Sequence, residues 1–322
     1  MIAPWRSGCD SGRMKIDRAT RWAVGAITAF HAALAWAANG DILERTAIPT
    51  PPEAPFVAER VVYESDGLRI AGFLAYPKTA PGGAVRLPCV VWNRGGNRDF
   101  GAITVEFFLR RAERIAGWGY VLFASNYRGA PGSEGKDEFG GADVADVINA
   151  IAVFDQLAFA DRDRIGMWGH SRGGMMTYLA LTRTDRVRAA VIGAGVADLE
   201  RWIAQRPEIE SDVAAQIVPD WTAQRANAIA ARSAVLFLDR LPHSVPILLV
   251  HGTADKRVDP RDSLDMAQGL FATRRPFRLL MIEGADHVIT ERFDDYNLAA
   301  RDWLDRFVRD RAPLPNLVPH GR

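Results

Sequence analysis

The pentapeptide Gly169-His170-Ser171-Arg172-Gly173 sets a serine between the apolar run Arg164-Ile165-Gly166-Met167-Trp168 and a helical pattern from Met175 to Arg183. A serine at a strand-to-helix turn with flanking glycines is the pattern of a nucleophile elbow. The tight turn exposes the hydroxyl, and a side chain at either glycine would collide with neighbouring backbone. The turn also aims the first amides of the following helix at one point, so the Arg172 N–H can hold a developing oxyanion, aided by the positive end of the helix. The alternative reading is a plain strand-to-helix turn.

A serine hydroxyl is a weak nucleophile near neutral pH and needs a base within reach and an acid to orient that base. Of the six histidines, His31 lies in an N-terminal apolar run and His320 in a polar tail. His170 adjoins the serine with its side chain expected to point elsewhere, His251 continues a buried strand, and His243 opens a strand after Pro242. His287, in Glu283-Gly284-Ala285-Asp286-His287 directly after the last apolar run, is the best base, because loops at this edge carry the chemistry in such folds. Asp255, in His251-Gly252-Thr253-Ala254-Asp255, is the best acid, with Asp259 and Asp286 as rivals. The resulting chain order, Ser then Asp then His, is that of an α/β-hydrolase.

A second oxyanion donor is expected in Asn93-Arg94-Gly95-Gly96-Asn97, where two glycines allow close backbone approach. The Gly96 amide is the first choice and Gly95 the fallback, with a simple Gly-Gly turn as the alternative. No Gly-Lys-Ser/Thr follows, and no His or Cys cluster has metal-ligand spacing, so neither a cofactor nor a metal is expected. Arg128, in the charged loop from Tyr127 to Glu138, either binds a substrate carbonyl or carboxylate or forms a structural ion pair.

The elements that must position these residues follow from hydropathy. Val57 to Glu64 and Ile70 to Tyr76 flank Asp66-Gly67 and should form an antiparallel hairpin. The short apolar runs Cys89–Trp92, Tyr120–Ala124, Ile165–Trp168, Ala189–Ile192, Ile247–Val250 and Phe277–Ile282 have helical segments between most of them. That rhythm predicts a mostly parallel, eight-stranded sheet flanked by helices over residues 56–311, followed by a C-terminal tail at 312–322. Residues 198–243 are too long for one crossover and predict two or three helices forming a lid or extra packing. Asn39 to Pro55, with Pro49, Pro51, Pro52 and Pro55, reads as an extended linker.

The 322 residues carry a formal charge of +1 and no basic stripe, which gives no footprint for nucleic acid. Lys15, Arg18 and Arg21 precede the apolar run Trp22 to Leu34 and the small-x-small pattern Ala35-Trp36-Ala37. This predicts a secretory signal over residues 1–38, cut near Ala38, and a periplasmic or secreted protein. An uncleaved inner-membrane anchor is the alternative, and Met14 is a candidate start. Removal of the signal takes Cys9 and leaves Cys89 as a small core residue.

Taken together, Asn93-Arg94-Gly95-Gly96, Asn126-Tyr127-Arg128-Gly129, Gly169-His170-Ser171-Arg172-Gly173-Gly174, His251-Gly252 to Asp255 and Asp286-His287 resemble the catalytic domain of the prolyl oligopeptidase family of α/β-hydrolases, over roughly Phe56 to Val308. The resemblance implies Ser171 as nucleophile, Asp255 and His287 as its partners, and Gly96 with Arg172 as oxyanion donors. Arg94 stands where many members have histidine, and these residues contain no counterpart of the β-propeller that the family's peptidases carry. The expectation is a serine hydrolase acting on carboxylic esters or on short peptide or aminoacyl amides. A catalytically silent binding protein on the same fold is the alternative.

Overall fold

The computed structural model describes residues 37–83 and 85–321, so the signal reading falls almost wholly outside the described residues. Asp66 and Gly67 both take left-handed backbone, with φ of 53° and 81°, the two-residue turn whose twist matches that of the strands it joins. It closes the hairpin of β2 (Phe56–Ser65) and β3 (Leu68–Pro77), paired antiparallel from Phe56 with Pro77 to Ser65 with Leu68.

The expected linker is corrected by the strand β1 (Ile42–Ile48), which pairs antiparallel with β2 from Ile42 opposite Tyr63 to Ile48 opposite Ala58. Gly40 N–H donates to the Glu64 carbonyl at 2.8 Å, and the Gly40 carbonyl accepts from Gln156 Nε2 at 2.6 Å. The folded unit therefore begins before Phe56. An edge strand buries little side-chain surface, so Ile42 to Ile48 lacks the apolar density that marks interior strands, and the adjacent prolines dominate the local composition.

Among the described residues the sheet consequently has nine strands, in the order β1-β2-β3-β5-β4-β6-β7-β8-β9. The remaining strands are β4 (Leu87–Asn93), β5 (Val121–Ser125), β6 (Ala160–His170), β7 (Val187–Gly193), β8 (Ile247–Gly252) and β9 (Phe277–Ile282). From β5 across to β9 all neighbours are parallel. Both faces are covered, which is why β5 and β8 are buried along their whole length. One face carries α1 (Val105–Gly117) and α8 (Phe293–Leu304), whose Phe108, Ile115, Tyr296 and Trp303 pack with Trp92 and Trp168. The other carries α2 (Val144–Val153), α3 (Arg172–Leu181) and α7 (Arg261–Ala272), with Phe123, Met167 and Leu249 among its core.

The interval 198–243 is helical, as its length requires. It contains α4 (Leu199–Gln205), a π-helical turn (Glu210–Ala214), α5 (Ala215–Ile217), α6 (Trp221–Ala230) and two short 3-10 turns. Cys89 is buried in β4 and forms no disulfide among the described residues. No described helix is long and apolar enough to cross a membrane.

Candidate active site

Strand order reverses around β4, with β5 on one side and β6 on the other. Chain segments leaving the carboxyl ends of β4 and β6 diverge there and leave a crevice. Asn93 and Gly169 are paired across that point, so the loop after β4 and the turn after β6 emerge side by side.

Ser171 occupies that turn with φ 59° and ψ −127°, a strained backbone for a residue with a side chain. Its N–H donates to Gly193 at 2.9 Å, and its carbonyl accepts from Gly174 N–H at 2.9 Å. A Cβ on Gly169 would sit 2.0 Å from the Gly173 carbonyl oxygen, and one on Gly173 would sit 2.0 Å from that of Asn93. These are the collisions that the glycine spacing implies.

Asp255 and His287 are brought together from the loops after β8 and β9. His287 Nδ1 lies 2.7 Å from Asp255 Oδ2. A ring that donates Nδ1–H to a carboxylate keeps its lone pair on Nε2. Asp255 also accepts from His251 Nε2 at 3.1 Å and, through Oδ1, from the amides of Arg257 and Val258 at 2.8 and 3.1 Å. Burial alone would raise the Asp255 pKa, but the hydrogen bonds from His251 and His287 hold it well below the usual carboxylate range. The rivals do other work. Asp286 caps its own loop through Val288 and Thr290, and Asp259 pairs with Arg261.

His251 is the functional neighbour that sequence reasoning set aside as a strand residue. It is fully buried, its Nδ1 accepts from Ser263 Oγ at 2.7 Å, and its other nitrogen steadies Asp255. The spacing of four residues between His251 and Asp255 is the signal that could have found it. His243 lies exposed in the turn before β8.

Ser171 and His287 line two adjoining cavities that also share Gly96, Phe100 and Arg257. The smaller, about 220 Å³, is walled by Arg172, Phe139 and, from the insertion, Trp202, Ile209 and Val213. The larger, about 470 Å³, is walled by His170, Val288, Trp92, Phe107, Phe293 and Arg111. Among the described residues no hydrogen bond joins Ser171 Oγ to His287. Such contacts are often long in ligand-free enzymes and tighten when substrate binds.

The loop after β4 lies beside the serine. Gly95 packs against it, a Cβ there falling 3.2 Å from Ser171 Cβ. Gly96 has φ 70°, and neither its amide nor that of Arg172 has a backbone or side-chain acceptor among the described residues. The Arg172 side chain, which the sequence did not assign, donates to the Gly96 carbonyl at 2.8 Å while bound to Asp137 at 2.6 Å and Asp143 at 2.5 Å. Burial would raise the Asp137 pKa, yet Arg172 and the amides of Arg98 and Phe139 hold it low. Arg94 braces the same loop by donating to the carbonyls of Asn126, Gly95, Phe100 and Arg98. Burial and nearby Arg172 push its pKa down to about 10.

Arg128 is corrected to a structural role. Its guanidinium is held by buried Asp146 at 2.7 Å and by Asp66 at 3.1 Å, and it lines neither cavity at Ser171. The two carboxylates occupy its Nε and Nη2 and offset its charge. Among the described residues no cluster of His, Cys, Asp and Glu has metal-site geometry.

A sequence profile of the prolyl oligopeptidase family matches residues 106–310, more than half of the chain. The uncharacterized peptidase YtmA of Bacillus subtilis is 27% identical over 236 residues, covering 73% of this chain and 87% of its own. Two solved structures share the fold. The acylaminoacyl peptidase of Pyrococcus horikoshii superposes with a TM-score of 0.66 at 21% identity, over 82% of this chain and 43% of that one. The acetyl xylan esterase of Paenibacillus sp. R4 gives 0.63 at 17% identity, over 81% and 87%. The chain thus spans about two-fifths of the acylaminoacyl peptidase and most of YtmA and the esterase.

Proposed function

The chain belongs to the prolyl oligopeptidase family and is a serine hydrolase, and from that premise we propose that it works through an acyl-enzyme on Ser171. Ser171 Oγ attacks the substrate carbonyl and passes its proton to His287 Nε2. Asp255 holds the ring in that tautomer and offsets the charge it gains. The amides of Gly96 and Arg172 receive the oxyanion of the tetrahedral intermediate. His287 then returns the proton to the leaving oxygen or nitrogen as the carbonyl bond to it breaks. Water, deprotonated by His287, releases the acid and restores Ser171.

The observation that carries this reading is the 2.7 Å contact of Asp255 with His287, a ring that lines the same cavities as the strained elbow serine. Treatment with a fluorophosphonate followed by mass spectrometry should give one adduct, on Ser171. An unlabelled Ser171 in folded protein would overturn the assignment.

The substrates are short acyl esters and short peptide or aminoacyl amides. The smaller cavity, with Phe139, Trp202, Ile209 and Val213 in its wall, suits a small apolar acyl group, and esters need less leaving-group activation than amides. The proteins it is similar to include both peptidases and an esterase. In a side-by-side screen, p-nitrophenyl esters should exceed aminoacyl and prolyl anilides in kcat/KM. The reverse order would make the protein a peptidase first.

Export with cleavage near Ala38 completes the reading, on the order of basic, apolar and small residues before it. N-terminal sequencing of the mature protein tests it, and an intact Met1 or Met14 would refute it.

A further inference from the structure

The larger cavity at Ser171 contains a cation without an anion. The Arg111 guanidinium, on the face of α1 that carries Phe108 and Ala112, lies 4.2 Å from the ring centre of Trp92, 5.3 Å from that of Phe107 and 5.6 Å from that of Phe293. Its buried Nη1 has no hydrogen-bond partner among the described residues. The charged and titratable groups around it are Arg110, Arg114, His170 and Tyr296, and among the described residues no carboxylate pairs with it.

The more deeply buried Arg94, Arg128 and Arg172 do not behave so. Arg128 and Arg172 are held by carboxylates, and Arg94 donates to four carbonyls. Aromatic faces offset part of the desolvation of a guanidinium, but its donors still call for acceptors. Arg111 lines the cavity of Ser171 and His287 together with Arg94 and Arg257, and among the described residues its wall contains no Asp or Glu. Arg110, also in the wall, is already paired with Glu106.

Which half of a substrate enters follows from the proton. The leaving group takes its proton from His287, which lines both cavities; its chain neighbour Val288 and His170 wall the larger, whereas Arg172 and the insertion wall the smaller one. The larger cavity therefore receives the leaving group.

We propose that Arg111 binds a carboxylate on the leaving group, so that the preferred substrates release an amine or alcohol carrying a free carboxylate, as in the C-terminal residue of a short peptide or the amino acid of an N-acyl amino acid. This rests on the hydrolase reading above. Water supplies the hydroxyl to the acyl carbon, His287 supplies the proton to the departing nitrogen or oxygen, and no redox partner is needed.

The test compares Ala-Phe with its C-terminal amide, reading released phenylalanine or phenylalaninamide. The free acid should be favoured in kcat/KM by roughly tenfold or more, as expected when a site built for a charged hydrogen-bond partner meets a substrate lacking it. R111M should bring that ratio near one, and R111K should recover part of it. A ratio near one in the native protein, or a preference untouched by R111M, overturns the proposal. Benzoate alone supplies a readout that needs no catalysis. It should raise the melting temperature of the native protein saturably and that of R111M much less, and equal shifts would count against the site. If fluorophosphonate failed to label Ser171 while benzoate still stabilised through Arg111, the hydrolase reading would fall and the anion site would stand.

Discussion

Nε2 of His170, the residue beside Ser171, lies 2.9 Å from the backbone carbonyl of His287 and donates to it. The turn that carries the serine is thereby tied directly to the loop that carries the base. The two imidazoles meet edge to face with ring centres 5.1 Å apart. Burial, then the proximity of His287 and Arg111, pushes the His170 pKa down to about 3, which favours the neutral ring near neutral pH.

That depression has a defined sign. A histidine that resists protonation in the fold but titrates normally when unfolded contributes its full stability above pH 6.5 and loses it as pH falls toward 3. Between pH 6.5 and 4.5 the loss is about 3 kcal/mol at ~1.4 kcal/mol per unit. Asp262 acts oppositely, because burial raises its pKa to about 6, and protonation between pH 6 and 3.8 favours the fold. Urea unfolding of the native protein and H170Q at both pH values separates the two. The variant, which keeps a donor but cannot titrate, should lose less stability on acidification, and parallel losses would refute the assignment.

Asp255→Asn should leave the fold intact and lower kcat on a p-nitrophenyl ester by about four orders of magnitude, because an amide no longer selects the Nδ1–H tautomer of His287. Retained activity would remove Asp255 from the mechanism.

Gly96→Ala places a Cβ 2.0 Å from the Phe100 carbonyl oxygen at a residue with φ 70°. The loop must shift, and kcat should fall about 100-fold to 1,000-fold through loss of one oxyanion donor. KM should change far less, so a pure KM effect would argue that Gly96 only shapes the pocket.

Asp137→Ala strips one carboxylate from the buried Arg172 that holds the Gly96 carbonyl. Breaking a buried pair from one side costs about 3–5 kcal/mol, readable as a lower urea midpoint. A stability unchanged within error would mean that Asp143 alone suffices.

Much of this molecule was legible in the chain, and the reason is local. The Asp66-Gly67 hairpin, the buried strands and the elbow at Ser171 are written in short-range terms, since turn chemistry and apolar runs act over a few residues. The order Ser171, Asp255, His287 named candidates for the same reason, each lying just after an apolar run. Strand β1 was hidden because an edge strand buries little and its neighbours are prolines. His251 was hidden although Asp255 lies only four residues on, because a residue in a buried strand reads as core; Arg172 and Arg111 were hidden because their roles come from partners far along the chain: Asp137, Asp143 and Gly96 for the first, and for the second the rings of Trp92 and Phe293. The residue type says that an arginine carries charge. Only the packing of distant segments decides whether that charge is already neutralised, as in Arg128, or left free beside the serine, as in Arg111.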